Sequence, residues 1–390
     1  TYSSAGEEYL YKILRQPEFN EDELKKRDEL ADFFLNNEEE TFKFQEVFAK
    51  LGRTKSISLS EFINRFSGLG KRSNIKHIIL DIFFLIGIVL LFVKPIIGII
   101  MFITMLCVNI GTYYKEKSEI ECYFTCLKYL MDMINCGKVL IKTDTKDTII
   151  PYINIIKNDL IKLKSISKGI FWISINGNSG SLGEIAMEYI RMIFHADIIK
   201  FNSVLDATNA NIGTVDELFK TYGMIESSMA IASFRKMMQY SCKPEFIKEK
   251  ALSTIEIYHP MISNPVSNDL NEKKSVLITG SNASGKSTFL KTIAINSIFA
   301  QTIYTCTAKT YKTCFYKLYS SMSLRDDLMN NESYYIVEIK SIKRILDSIS
   351  DKVPVLCFVD EVLRGTNTIE RIAASSHILE AISTENAMCF

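Results

Sequence analysis

The stretch Val276 to Thr288 reads VLITGSNASGKST, and it constrains the chain more than any other. Val276, Leu277 and Ile278 make a short apolar run suited to a buried strand. Gly280-x-x-x-x-Gly285-Lys286-Ser287 then meets the phosphate-loop pattern at every fixed position. The two glycines let the backbone turn tightly, so that its N–H groups converge on phosphate oxygens. Lys286 is the expected ligand of the β and γ phosphates, and the Ser287 hydroxyl of a Mg²⁺ ion. Ser287 to Ala300 is predicted to be a helix whose positive N-terminal end faces the phosphates.

Such a loop requires a second element, and Val355 to Val359 (VLCFV) supplies it, ending in Asp360-Glu361. A carboxylate at a strand's C-terminal end can hold the metal shell. The next carboxylate can orient or deprotonate an attacking water. Asp360 is therefore the expected metal residue with Ser287, and Glu361 the expected catalytic base with Lys286 beside it.

At 390 residues the chain has room for two or more domains. A formal charge of +1 gives no global basic field to argue for nucleic acid. The nine cysteines contain no C-x-x-C pair, and no His/Cys pair follows Cys122 and Cys126, so a zinc site is not expected. Buried thiols in a reducing cytosol are the better reading. The first residues, Thr-Tyr-Ser-Ser, carry no apolar signal core, and a start without Met is not expected to be the natural one.

Residues 1–75 read as short amphipathic helices. Ser4-x-x-Glu7 is a capping box, Pro17 stops that helix, and Asn20-x-x-Glu23 caps the next. The run Lys25-Lys26-Arg27 is flanked by acids and reads as a solvated face.

Residues 76–114 differ. IILDIFFLIGIVLLFV is followed by Lys94-Pro95 and then IIGIIMFITMLCVNIGTYY. The first run has 16 residues, roughly 24 Å of helix at 1.5 Å each. The second is long enough for a bilayer core of about 30 Å. Lys71, Arg72 and Lys76 precede the pair, Lys115 and Lys117 follow it, and only Lys94 lies between. The positive-inside rule then puts both outer ends in the cytoplasm and the Lys94-Pro95 turn near the far face. Asp81 sits early enough to lie at the interface. A hairpin buried in a soluble core, or a shallow re-entrant insertion, are the competing readings.

Residues 115–248 are helical again, as a second part of the core and lever. Asn135-Cys136-Gly137 and Asn176 to Gly180 read as breaks, the second as a loop and not a phosphate site, since no Lys-Ser follows. Trp172 and His195 read as packing residues. Residues 249–390 alternate apolar runs with helices and carry all the motifs, as an α/β nucleotide-binding domain.

Taken together, these motifs resemble the ATPase domain of the MutS family, whose best-known members recognise DNA mismatches. IEIYHP at 255–260 and VSNDL at 266–270 resemble the lead-in to its phosphate loop. Thr279 to Thr288 is similar to TG-P-N-M-G-GKST, with Asn282 kept and Ser281, Ala283 and Ser284 departing. The likeness makes Gly280, Ser281, Asn282, Ala283, Ser284, Gly285, Lys286, Ser287 and Thr288 the nucleotide-binding set. Ala300-Gln301 matches a position after the loop helix. Asp326-Asp327-Leu328 and Glu332 to Glu338 resemble DDL…STFMVE, with Asn331 in place of a glycine and tyrosines in place of Thr-Phe. Asp360 to Thr368 resembles DEIGRGTST, with Leu363 in place of a glycine.

The resemblance implies an ABC/MutS-type P-loop NTPase domain behind an all-α core and lever region, with ATP and Mg²⁺ as cofactors. It also implies a homodimer with two composite sites, in which Ser333 reaches the partner's nucleotide; a serine in an ordinary surface loop is the alternative. The mismatch-reading and connector domains have no counterpart here, and the apolar hairpin stands where the DNA clamp is inserted. In the family a histidine-bearing switch motif follows the strand that begins at Ala387, so the natural chain is expected to run on past Phe390, with the dimerisation segment. The expected function is a membrane-anchored, MutS-like ATPase facing the cytoplasm. The alternatives are a DNA-binding repair or recombination protein of the family, and a nucleotide-gated scaffold with negligible turnover.

Overall fold

The computed structural model describes residues 1–54, 61, 68, 70, 72–143, 146–174, 182–281, 284–322, 334–350, 352–360, 362–363 and 367–390, with backbone alone for 122, 170–174, 182–187 and 334. Packing divides the chain into two compact units. One is Thr1–Tyr9 with Asn37–Ser227, the other Leu10–Asn36 with Ser228–Phe390. The segment Leu10–Asn36 thus falls with the later residues and not with the first helical block.

The first unit is helical. Helix α1 (Ser4–Arg15) begins in it. Its cap is Ser3, not the expected Ser4: the Gly6 amide donates to Ser3 Oγ at 3.2 Å, while Ser4 Oγ pairs with Thr54. The buried carboxylate of Glu226 in turn accepts from the Ser3 amide at 3.0 Å and from its hydroxyl. Helix α2 (Glu21–Asn36) belongs to the second unit, and there Asn20 is the cap expected, accepting from the Asp22 amide at 3.0 Å.

After α3 (Glu38–Leu51) come α4 (Ile75–Val93) and α5 (Pro95–Leu140), the two legs of an antiparallel apolar pair joined at Lys94. Ile75–Val93 and Pro95–Glu121 are long and apolar enough to cross a membrane, and most of their side chains are exposed. Phe84 is an exception, packed against Phe102 and Phe194. The wide end of the pair is polar. Arg72 pairs with Glu119 and Lys76 with Glu116, both at 2.9 Å. Asp81 is held inside the unit by His195 at 3.0 Å, whose other ring nitrogen meets Thr112 Oγ1 at 2.8 Å. His195 is fully buried with φ 46°, a packing residue as expected.

The expected break at Asn135 to Gly137 is absent. Helix α5 runs 46 residues without interruption, across both 114/115 and this tripeptide. Gly137 serves a close approach instead. A Cβ there would lie 2.5 Å from the hydroxyl of Tyr222, which donates to Met133 O at 2.9 Å. Next come α6 (Ile150–Lys162), α7 (Lys164–Ser174), α8 (Leu182–Ile193), α9 (Ala196–Ala210) and α10 (Ile212–Met237), the last of which passes into the second unit after Ser227. The Asn176–Gly180 loop and the Trp172 side chain lie outside the described residues.

The second unit holds both sheets. Strands β1 (Glu245–Phe246), β2 (Leu252–Ile257), β3 (Asn268–Glu272) and β4 (Thr310–Thr313) form one, in the order β1-β4-β2-β3. Strands β5 (Lys317–Ser321), β6 (Val355–Val359) and β7 (Ala387–Cys389) form the other, parallel throughout. Helices α11 (Lys286–Thr302), α12 (Tyr334–Ser348) and α13 (Thr368–Thr384) belong to the same unit.

The apolar run of β6 follows from burial on both faces, as parallel strands require. Leu356 and Phe358 share a core with Leu290 and Ile293 of α11, and Val355 and Cys357 share another with Ile345 of α12 and Ile382 of α13. Gln301, singled out in the sequence, is buried and ties α11 to the start of β5. Its amide donates to Tyr316 O at 3.0 Å and accepts from Tyr316 N at 2.9 Å. The solvated reading of Lys25-Lys26-Arg27 holds for the lysines, which pair with Glu21 and Glu23. Arg27 is buried and donates to Thr302 O.

Candidate nucleotide site

Residues 276–278 do not form the buried strand expected of them. The Val276 amide donates to Cys389 O at 2.8 Å, which sets this segment beside β7. Val276 and Ile278 turn toward the core of α11, and Leu277 points away, 79% exposed. The segment is therefore extended and half-buried, with β7 interposed between it and β6.

The loop that follows ends at Gly285, whose φ of 93° demands glycine, and α11 starts at Lys286. The Phe289 amide donates to Gly285 O at 2.9 Å, closing the first turn. Gly280 is a close approach too, since a Cβ there would meet Ser284 Oγ at 2.9 Å. The Lys286 ammonium folds back over the loop and donates to Gly280 O at 2.7 Å and Ser281 O at 2.8 Å. These bonds hold the cation over the start of the loop, from a residue at the positive end of α11.

Ser287, one residue on, donates from Oγ to Asp360 Oδ2 at 2.8 Å. Asp360 stands at the C-terminal end of β6, and its amide donates to Ser321 O of β5 at 3.2 Å. A hydroxyl and a carboxylate 73 positions apart thus meet at the phosphate loop. Two hard oxygen donors at one point suit Mg²⁺, which takes carboxylate and hydroxyl oxygen together with phosphate oxygen. The residues fit the implied metal.

Asn282, Ala283, Ser333 and Glu361 lie outside the described residues. Gly280, Ser281, Ser284, Gly285, Lys286, Ser287, Thr288 and Asp360 lie within them, around one loop, helix start and strand end. Two contacts next to Asp360 had no reading in the sequence. The Leu363 amide donates to the buried Glu338 Oε1 at 2.6 Å, and Arg371 Nε donates to Val362 O at 2.9 Å. Asn367 caps α13 by accepting from the Ile369 amide, which places Arg371 one turn into that helix. A glutamate among the core-facing positions of α12 was the available signal for the first. On the lead-in side, burial and then the nearby Lys291 ammonium push His259 below its ordinary value.

Residues 276–390 match the family model described as MutS domain V, the ATPase domain of that family. The chain is 32% identical over 209 residues to "MutS protein homolog 4" of Mus musculus, covering 51% of the chain and 21% of the relative. It is 31% identical over 193 residues to "DNA mismatch repair protein MutS" of Thermotoga maritima, covering 47% and 24%. With "DNA mismatch repair protein MSH3" of Debaryomyces hansenii the identity is 25% over 238 residues, covering 55% and 23%. The chain spans about a quarter or less of the length of these relatives.

Proposed function

Because the chain belongs to the MutS family, through the match of residues 276–390 to its ATPase domain, we propose that it is a membrane-anchored ATPase that binds and hydrolyses ATP with Mg²⁺. Nucleotide state is coupled to rearrangement of the dimer and the helical lever. The observation that carries the catalytic part is the 2.8 Å contact of Ser287 Oγ with Asp360 Oδ2, beside a lysine folded over its own glycine loop.

On this reading the loop and the start of α11 bind the triphosphate, and Lys286 exchanges its two carbonyl partners for phosphate oxygens. Ser287 and Asp360 hold Mg²⁺, which would supply charge neutralisation on the phosphates. Glu361 orients the attacking water. Ser333 reaches the nucleotide of a second copy.

The anchoring part rests on two long apolar helices that keep most of their side chains exposed, with Lys94 at the turn and paired charges at the wide end. The coupling part is tested by proteolysis. Equal protection of the apolar pair in the ATP, ADP and nucleotide-free states would count against it.

The catalytic test uses two variants of the full chain. Lys286→Ala is expected to weaken ATP binding by about a hundredfold or more, because a charge on the phosphates is lost. Glu361→Gln is expected to keep binding and to lower turnover by about 10²–10⁴-fold. ATP binding by Lys286→Ala equal to that of the unaltered chain would end the reading. Turnover unaffected in Glu361→Gln would move it to the scaffold alternative. The relatives' names raise repair of DNA as the other function. Binding of a mismatched duplex that weakens steeply with salt would favour it.

A further inference from the structure

We infer that Glu338 is a positioning residue for the backbone that follows Asp360, and that Leu363 is the point at which it acts. This rests on the ATPase reading above.

Buried positions in α12 recur at 338, 341, 342 and 345, the spacing of one helix face. Ile342 and Ile345 suit a core, and Ser341 donates its hydroxyl to Ser320 O of β5 at 3.3 Å. Position 338 is a glutamate, 2% exposed. Burying a carboxyl group is costly unless it is hydrogen-bonded, so its placement calls for a partner. Oε1 has one in the amide of Leu363, at 2.6 Å. Oε2 has none among the described residues.

Leu363 is itself unusual. It is buried and has φ 54°, in the left-handed region that a residue with a Cβ disfavours. Its position matches a glycine in the pattern that the sequence resembles, and glycine would adopt this φ at no steric cost. Here a leucine is held in the glycine conformation, and its amide is anchored on the Glu338 carboxylate. The neighbouring carbonyl, Val362 O, is held from the other side by Arg371 of α13. Two helices therefore grip the two residues that follow Asp360-Glu361. The grip fixes the backbone just past the end of β6, two and three residues beyond Asp360.

The test pairs backbone hydrogen exchange with steady-state hydrolysis, in the full chain. Glu338→Ala removes the acceptor. Glu338→Met, of similar volume and without an acceptor, serves if the alanine variant does not fold. Either is expected to speed exchange in the peptide covering 362–363 by about tenfold or more, and to lower kcat by about tenfold with KM held. Adding Leu363→Gly is expected to restore much of kcat, because glycine enters the conformation without steric cost and needs no anchor to offset it; a merely structural defect in α12 would not respond. Exchange at 362–363 unaltered in both variants would overturn the inference. So would faster exchange with full kcat, or a kcat loss that Leu363→Gly leaves in place. If the unaltered chain hydrolyses no ATP, the ATPase reading falls by itself, and the exchange arm still decides whether Glu338 holds the loop.

Discussion

Asp159 carries a carboxyl group in a place that does not suit its charge. It is 1% exposed, and its Oδ2 has no partner among the described residues. Burial first, and then the charge of Glu217, push it up to about 6, with Lys162 acting the other way. Its folded-state value lies above that of an unfolded aspartate, so the folded form prefers the proton. That preference stabilises fully below the unfolded value and is lost as pH rises through about 6. Asp159→Asn keeps the shape and removes the ionisation. The variant is expected to melt a few degrees above the unaltered protein at pH 8, with the gap closing below about pH 4. A gap of the same size at both pH values would refute this account.

Among the elements, α5 shows how a local signal can mislead. Asn135-Cys136-Gly137 has the composition of a break, yet the helix passes through it. The glycine is there because Tyr222 crosses the helix at that point, and its hydroxyl occupies the space a Cβ would take. Gly137→Ala would raise intrinsic helix propensity by about 1 kcal/mol. Overpacking against a fully buried tyrosine costs about 1–3 kcal/mol and is expected to win. Urea denaturation should therefore find the variant less stable; a more stable one would show that Tyr222 moves aside freely. The sequence readings fared better where the determinant was local. Asn20 caps α2 as read, because its partner is two residues away. At α1 the capping box pointed to Ser4, and the neighbourhood of Glu226 and Thr54 put Ser3 in the cap instead.

For the whole molecule, the apolar pair of helices poses the question that fractionation answers. The full-length protein is expected in the membrane fraction, resistant to high-salt extraction, since apolar burial in lipid is insensitive to ionic strength. Removal of residues 76–114 would cut through the polar contacts of Asp81 and Lys76, so a milder variant is preferable. Charged substitutions at the exposed Ile86, Val89, Ile100 and Ile103 leave those contacts alone. They are expected to move the protein to the soluble fraction. A wholly cytosolic unaltered protein would remove the anchored reading and favour a soluble repair factor.

The glycine turn before α11 and Asp360 at the end of β6 were legible without coordinates, because their chemistry demands residues at fixed, short spacing. A tight turn needs glycine at set positions, and a carboxylate that is to meet it must come next after the strand. The apolar pair was legible for a related reason, since length and composition suffice to define it. Ser287 and Asp360 were paired in the sequence because both motifs serve one ligand, but what joins Glu338 to Leu363 is proximity between segments with no shared chemistry to announce it, and no local pattern encodes such a partner. The same holds for β7 lying between the loop segment and β6, and for the close approach that requires Gly137. Tertiary packing settled those, because the neighbour a side chain meets depends on how whole elements are stacked, while its own identity sets only what it can do once there.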